Sequence, residues 1–146
     1  MSKGRFKVVS VNISAGRGTG KRPVGKIVLE SEYGIAGDAH AGSPRKQVSF
    51  LAMEDIDRKK EKFSGLNPGD FAENITTEGV DLLSFPVGTR FNVDEVEFEV
   101  TQIGKPGKGH TIKGLSIEPL LVKRGLFARV IRGGVITNES VGSYDI

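Results

Sequence analysis

Cysteine does not occur anywhere in the 146-residue sequence. Its absence excludes disulfides, thiolate metal sites, iron–sulfur clusters and thiol nucleophiles. Tryptophan is also absent, and no run of about 18 apolar residues is long enough to cross a membrane as a helix. Because the first residues contain no apolar segment of signal-peptide length, we expect a cytoplasmic protein that does not contact a membrane.

Glycine is abundant, with 20 residues spread along the chain without a period, which favours many tight turns and therefore β structure. Hydrophobic residues make up 37% of the sequence and charged residues 27%, a balance that supports a packed core. We expect a single domain over residues 1–146. The net charge is +3, and residues 105–132 hold seven basic residues against one acid, so an anionic partner is expected there.

Alternation of apolar and polar residues predicts several strands. From Lys7 to Ser14, Val9, Val11 and Ile13 share one face, and from Glu95 to Thr101 the apolar residues again occupy every second position. The latter run is expected to form a hairpin with Arg90–Val93. Further extended runs are predicted at 22–29, 47–51, 74–77 and 127–131. Short strands at close spacing indicate a barrel or a sandwich.

Helix is predicted sparingly. Residues 53–63 fit one amphipathic helix, with Glu54 and Arg58, and Asp55 and Lys59, at the spacing of i,i+4 ion pairs. Residues 117–122 fit either a short helix or an extended segment. The glycine- and proline-containing residues 34–45 are predicted to form a loop.

That loop contains Asp38 and His40 between glycines. Glycine lets backbone amides approach a ligand, and the two side chains can orient one another or bind a metal. Two ligands are fewer than a zinc site needs, and the only other histidine, His110, is distant in sequence, so no metal site is predicted. The alternative is that Asp38 and His40 bond to backbone groups of the loop.

Two further segments contain polar residues of possible functional interest. In Asp70–Ile75, the side chains of Asp70, Glu73 and Asn74 either cap a turn and bond to backbone or contact a ligand. In Gly104–His110, glycine-rich backbone and Lys105 suit phosphate binding, together with Arg129, although the spacing is not that of a P-loop. The alternative for this segment is a solvated basic loop.

Taken in order, six segments of the sequence resemble the MOSC domain, the molybdenum-cofactor sulfurase C-terminal module. They are residues 21–24, 34–42, 45–49, 69–75, 100–106 and 125–130. The resemblance spans nearly the whole chain. It implies a mostly β fold, a MOSC-type β-barrel related to the pyruvate-kinase β-barrel, with one or two short helices.

The resemblance also implies a link to the molybdenum cofactor. Many members have a cysteine, which transfers sulfur or ligates molybdenum, at the position that is Gly107 here. This chain therefore cannot form a persulfide, and the pyridoxal phosphate domain of the large sulfurases is not present in it. The resemblance implies recognition of molybdopterin or the molybdenum cofactor during its maturation, storage or delivery. The residues assigned to the cofactor are Lys21, Arg45, Glu73, Asn74, Lys105 and Arg129, with Asp38 and His40 shaping the pocket.

Two alternatives remain open. One is an enzyme acting on another phosphorylated small molecule, with His40 as acid–base catalyst and Asp38 orienting it. The other is a small barrel that binds nucleic acid, which the sequence disfavours because no aromatic cluster interleaves the basic stretch. The expected partners are a small anionic cofactor and a molybdoenzyme or cofactor-maturation protein.

Overall fold

The computed structural model describes residues 3–16, 20–107 and 112–146. These residues are mostly β, with 44% in strands and 12% in helices. The elements in chain order are β1 (Lys3–Ile13), β2 (Arg22–Val24), β3 (Lys26–Glu30), β4 (Gly34–Ile35), β5 (Val48–Ala52), α1 (Met53–Lys60), β6 (Ile75–Glu78), β7 (Arg90–Val93), β8 (Val96–Ile103), α2 (Leu120–Arg124), β9 (Leu126–Arg132), β10 (Gly134–Thr137) and β11 (Val141–Asp145). A single 3₁₀ turn at Leu82–Ser84 is also described.

Within the described residues, seven strands close into a barrel, in agreement with the predicted fold class. The strand order is β11-β7-β8-β9-β5-β6-β1, and pairing of β11 with β1 completes the circle. The β5–β6 pair is parallel and the other six pairs are antiparallel. A smaller sheet, β10-β3-β4, lies beside the barrel. The short strand β2 pairs antiparallel with the end of β1. Closure leaves the barrel strands without free edges.

The barrel interior is a core of aliphatic and aromatic side chains. Phe50 lies at its centre, with ring centroids 5.3 Å from Phe91 and 5.1 Å from Phe98, both edge to face. Aromatic pairs prefer such arrangements to face-to-face stacking. A second apolar cluster, which includes Leu51, Leu121 and Phe127, packs outside the barrel against α1 and α2. The protein therefore has an inner core and an outer one.

The predicted hairpin is confirmed, since β7 pairs with β8 in the register Phe91 to Phe98. The predicted face of β1 is correct at Val11 and Ile13, which pack in or against the inner core, but wrong at Val9, which is only half-buried. Before Val9, the buried positions are Phe6 and Val8. The cause is a β-bulge between Val8 and Ser10, where one extra residue reverses the alternation.

The predicted helix is confirmed at Met53 but ends at Lys60, before Phe63. Its expected ion pairs do not form. Arg58 contacts Asp55 instead of Glu54, and Lys59 contacts Glu118, 3.7 Å away, instead of Asp55. Asp55 is buried and also accepts a hydrogen bond from Arg124 of α2 at 3.1 Å, so both of its carboxylate oxygens are occupied by arginines.

Candidate functional site

The site is built around an ion pair between Lys21 and Asp38. Lys21 Nζ lies 2.7 Å from Asp38 Oδ1, and neither side chain is exposed to solvent. Asp38 also accepts hydrogen bonds from the backbone N–H groups of Ser14 and His40, each at 3.1 Å. Burial alone would raise the pKa of Asp38, but the hydrogen bond and charge of Lys21, together with the backbone hydrogen bonds of Ser14 and His40, hold the pKa below the ordinary value. Asp38 is therefore a buried carboxylate with a fixed partner.

The ring of His40 is held by Lys21. Lys21 Nζ lies 3.2 Å from His40 Nδ1, whereas the nearest Asp38 oxygen is 3.9 Å from the same nitrogen. An ammonium group can only donate, so Nδ1 accepts the hydrogen bond and the ring proton lies on Nε2. The side chain that orients His40 is thus Lys21, and Asp38 acts on the backbone of the loop.

Gly69 brings Lys21 into this position. Its φ is +92°, and a Cβ at this position would lie 2.3 Å from the backbone oxygen of Lys21. The Gly69 oxygen accepts a hydrogen bond from the Lys21 backbone N–H at 2.7 Å. Only glycine permits this approach, because any side chain would meet the neighbouring backbone.

Beside His40 lies a small pocket with a volume of about 40 Å³, partly open to solvent, which we call the lysine pocket. Its described lining consists of His40, Lys46, Ser49, Ala72, Lys105, Leu121 and Phe127. Leu121 and Phe127 of this lining belong to the outer core, and we call them the apolar wall of the pocket. Its volume is well below the range of about 300–1,000 Å³ for small-molecule sites, so the pocket accommodates a small charged group and not a whole cofactor.

Gly104 places Lys105 in the pocket. Its φ is +69°, and a Cβ there would lie 2.6 Å from the Val122 oxygen. The next backbone N–H, that of Lys105, donates to the same oxygen at 3.0 Å, which fixes the end of β8 to α2. Burial, followed by the nearby charges of Lys46 and Lys21, lowers the pKa of Lys105.

Lys46 and Lys105 form no ion pair with any described acidic residue. Residues 1–2, 17–19 and 108–111, outside the described ranges, include no aspartate or glutamate. Two lysines that face one pocket without a counterion create a positive potential there, which favours an anionic ligand.

The structure places the other predicted residues elsewhere. Glu73 and Asn74 are buried beside the pocket rather than lining it. Asn74 Oδ1 accepts the backbone N–H of Ser49 at 3.0 Å, and its amide donates to the Asn12 oxygen at 3.1 Å. Asn74 therefore fixes the strand that presents Ser49 to the pocket.

Glu73 lies under the Gly69 turn. One carboxyl oxygen accepts from the Gly69 N–H at 3.0 Å and from Thr76 Oγ1 at 2.8 Å, while the other oxygen has no partner among the described residues. Burial raises the pKa of Glu73 to about 7, against the lowering effect of these hydrogen bonds.

The two predicted arginines do not line the lysine pocket. Arg129 is paired with Glu99, with Nε 2.9 Å from Oε1, and with Glu32, so its charge is already compensated. Arg45 is exposed, and its neighbour Lys46 lines the pocket in its place. The predicted basic-loop residues Lys108 and His110 lie outside the described residues.

Sequence reasoning missed Lys46, Ser49 and the apolar wall. Lys46 stands next to Arg45 in the sequence, and only the turn before β5, where Ser43 Oγ accepts the Lys46 N–H, determines which of the two faces the pocket. The wall depends on packing of α2 against β5 and β9. No group of three or more metal-ligating His, Cys, Asp or Glu residues occurs in the described parts of the chain.

The family model for the MOSC domain matches residues 37–141. The chain belongs to the MOSC domain family. This match covers Asp38, His40 and both lysines of the pocket, and the predicted family membership is confirmed. A search of curated proteins found no match.

Solved structures show the same fold. The YUAD protein from Bacillus subtilis superposes with a TM-score of 0.79 at 16% sequence identity, over 97% of this chain and 96% of that one. YiiM from Geobacillus stearothermophilus gives 0.72 at 20% identity, covering 96% of this chain and 75% of that one. YiiM from Escherichia coli gives a TM-score of 0.69 at 22% identity, covering 98% of this chain and 70% of that one.

No helix in the described residues is long and apolar enough to span a membrane.

Proposed function

We propose that this MOSC domain binds molybdopterin or the molybdenum cofactor through the lysine pocket and acts in its maturation, storage or delivery. The observation that supports this most directly is the pair of lysines, Lys46 and Lys105, without acidic partners in one pocket. The phosphate of the pterin supplies the missing negative charge. Charge-assisted hydrogen bonds from ammonium groups to phosphate are among the stronger polar contacts in proteins.

The donor groups fit the phosphate end of the cofactor better than its metal end. The chain has no cysteine, so it offers molybdenum no thiolate and cannot form a persulfide. Lys46, Lys105, Ser49 and the His40 ring would hold the phosphate, and the apolar wall formed by Leu121 and Phe127 would pack against the organic part. Delivery requires an acceptor, a molybdoenzyme or a maturation protein in the cytoplasm.

The test is pterin content. Protein purified from a host that makes the cofactor is assayed by fluorescence after acid oxidation, with molybdenum measured on the same sample. We expect pterin in the wild type and about tenfold less in Lys105→Ala, because losing a charge-assisted hydrogen bond costs about 1.5 kcal/mol or more. Lys46→Ala is expected to behave in the same way.

The matched control is Lys123→Ala, which removes an exposed lysine from the same basic stretch and should keep its pterin. Equal pterin in Lys105→Ala and Lys123→Ala would place the cofactor outside the lysine pocket. If the wild type holds no pterin even after incubation with the cofactor, the proposed function is wrong.

A further inference from the structure

Lys105 is one of the two described lysines that line the lysine pocket, and the hydrogen bond from its backbone N–H to the Val122 oxygen fixes it there. It is half-buried against apolar side chains, has no acidic partner, and shares its pocket with a second lysine. Lys21 is also buried, but it is committed to Asp38 at 2.7 Å. Lys26 and Lys123, by contrast, are exposed to solvent. Lys105 thus combines partial burial, a neighbouring cation and the absence of a carboxylate partner.

A lysine in such surroundings becomes a better nucleophile. An ordinary lysine, with a pKa near 10.4, is only about 0.1% neutral at pH 7.4, and each unit by which the pKa falls raises the neutral fraction about tenfold. Burial and the charges of Lys46 and Lys21 both lower the pKa of Lys105. Desolvation and a neighbouring cation are the two means by which enzymes activate an amine.

We propose that Lys105 is a nucleophilic amine that forms an imine with small carbonyl compounds bearing an anionic group, such as 2-oxo acids. The pocket brings a second cation and apolar side chains next to Lys105. Lys46, which lines the same pocket, is the cation that would pair with the carboxylate, and Leu121 and Phe127 supply the apolar surface. The His40 ring, whose Nδ1 lies 3.2 Å from Lys21 Nζ, lines the same pocket.

The reaction balances without a further reactant. The nitrogen lone pair of Lys105 attacks the carbonyl carbon, a C–N bond forms, and the C=O π electrons move to the oxygen. Both protons of the amine are transferred to that oxygen, which leaves as water while the C=N bond forms. No oxidant or reductant is consumed, and the cationic imine that follows from reprotonation of nitrogen is the species that hydride reagents trap.

This proposal does not depend on the cofactor. Its test uses pterin-free protein, so imine formation and pterin binding can fail independently. The full chain is incubated with glyoxylate and sodium cyanoborohydride at pH 7.4, and carboxymethylated lysines are quantified by peptide mass spectrometry. We expect Lys105 to be modified at least tenfold faster than Lys26, Lys62 and Lys123, which are exposed and serve as references within the same molecule. Labelling of Lys105 no faster than these references overturns the proposal.

A second comparison tests the role assigned to Lys46. In Lys46→Gln, labelling of Lys105 by glyoxylate should fall by a larger factor than labelling by acetaldehyde, because acetaldehyde has no carboxylate to pair. The control Lys123→Gln should change neither rate. Equal decreases with both aldehydes would contradict anion recognition by Lys46. The labelling rate of Lys105 should also level off at lower pH than the rates of the reference lysines, and a shared profile would contradict its activation.

Discussion

Replacing Lys21 with methionine is expected to destabilise the folded protein by about 3–5 kcal/mol, because it leaves a buried carboxylate without its cation. Asp38 has no exposed side-chain surface. Its described ion-pair partners are Lys21, at 2.7 Å, and the more distant His40, at 3.9 Å. The remaining N–H donors of Ser14 and His40 cannot replace a full charge. The chain has no tryptophan, so urea unfolding followed by far-UV circular dichroism is the suitable measurement.

The double variant Lys21→Met/Asp38→Leu separates the loss of the pair from the cost of an unpaired charge. Replacing both members of a buried pair with apolar residues is often close to neutral, so the double variant should recover much of the stability lost in Lys21→Met. The matched control is Lys3→Ala, which breaks the exposed pair with Asp145 and should change the free energy of unfolding by at most about 1 kcal/mol. A loss in Lys21→Met no larger than in Lys3→Ala would show that Asp38 is not a buried charge.

The same pair shows where sequence reasoning succeeded and where it did not. Lys21 and Asp38 both lay in segments recognised as family motifs, and both lie in the site. Their contact was not predicted, because it depends on the Gly69 turn holding the Lys21 backbone. Charge partners in sequence-distant loops leave no periodic signal, whereas the alternation of β7 and β8 predicts their hairpin from local residues alone.

The sequence predicted a mostly β fold of the barrel type, but it did not predict which strands pair to close the barrel. The strands β10 and β11 were not predicted, and the closing pairs, between β11 and both β1 and β7, are set by tertiary packing. The tightest such contact is at Gly142, where a Cβ would lie 2.0 Å from the ring of Phe6. Glycine has a low strand propensity. Gly142 therefore permits closure of the barrel, but its presence makes β11 difficult to predict from the sequence.

The lysine pocket illustrates a different limit. From the sequence, anion recognition was assigned to basic residues because of their positions in the family motifs. In the structure, some of these residues form an ion pair with a carboxylate and others do not. Arg129 is compensated by Glu99 and Glu32, and Lys105 is not. Since the compensating acids lie 30 and 97 residues away from Arg129 in sequence, a count of local charge could not distinguish the two.

Glu73 is expected to make the protein less stable at alkaline pH than at acidic pH. Its folded-state pKa of about 7 lies above the unfolded value of 4.5, so the folded state binds the proton more tightly. The stabilising contribution is therefore full below pH 4.5, is lost as the pH rises towards 7, and is absent above it. Between pH 5 and pH 8 these two values correspond to a loss of about 2.5 kcal/mol.

Glu73→Gln is the variant that tests this, because it keeps an acceptor for the Gly69 N–H and Thr76 hydroxyl but does not titrate. The free energy of unfolding is measured in urea at pH 5 and pH 8 for both proteins. The wild type should lose about 2.5 kcal/mol more than the variant over this interval. Contributions from other groups are common to both proteins and cancel, and Asp38, whose pKa is lowered, affects stability only at more acidic pH. Identical losses in the two proteins would mean that Glu73 ionises in the folded state as readily as in the unfolded chain. Its complete burial argues against that outcome, as does the carboxyl oxygen that has no partner in the described part of the chain.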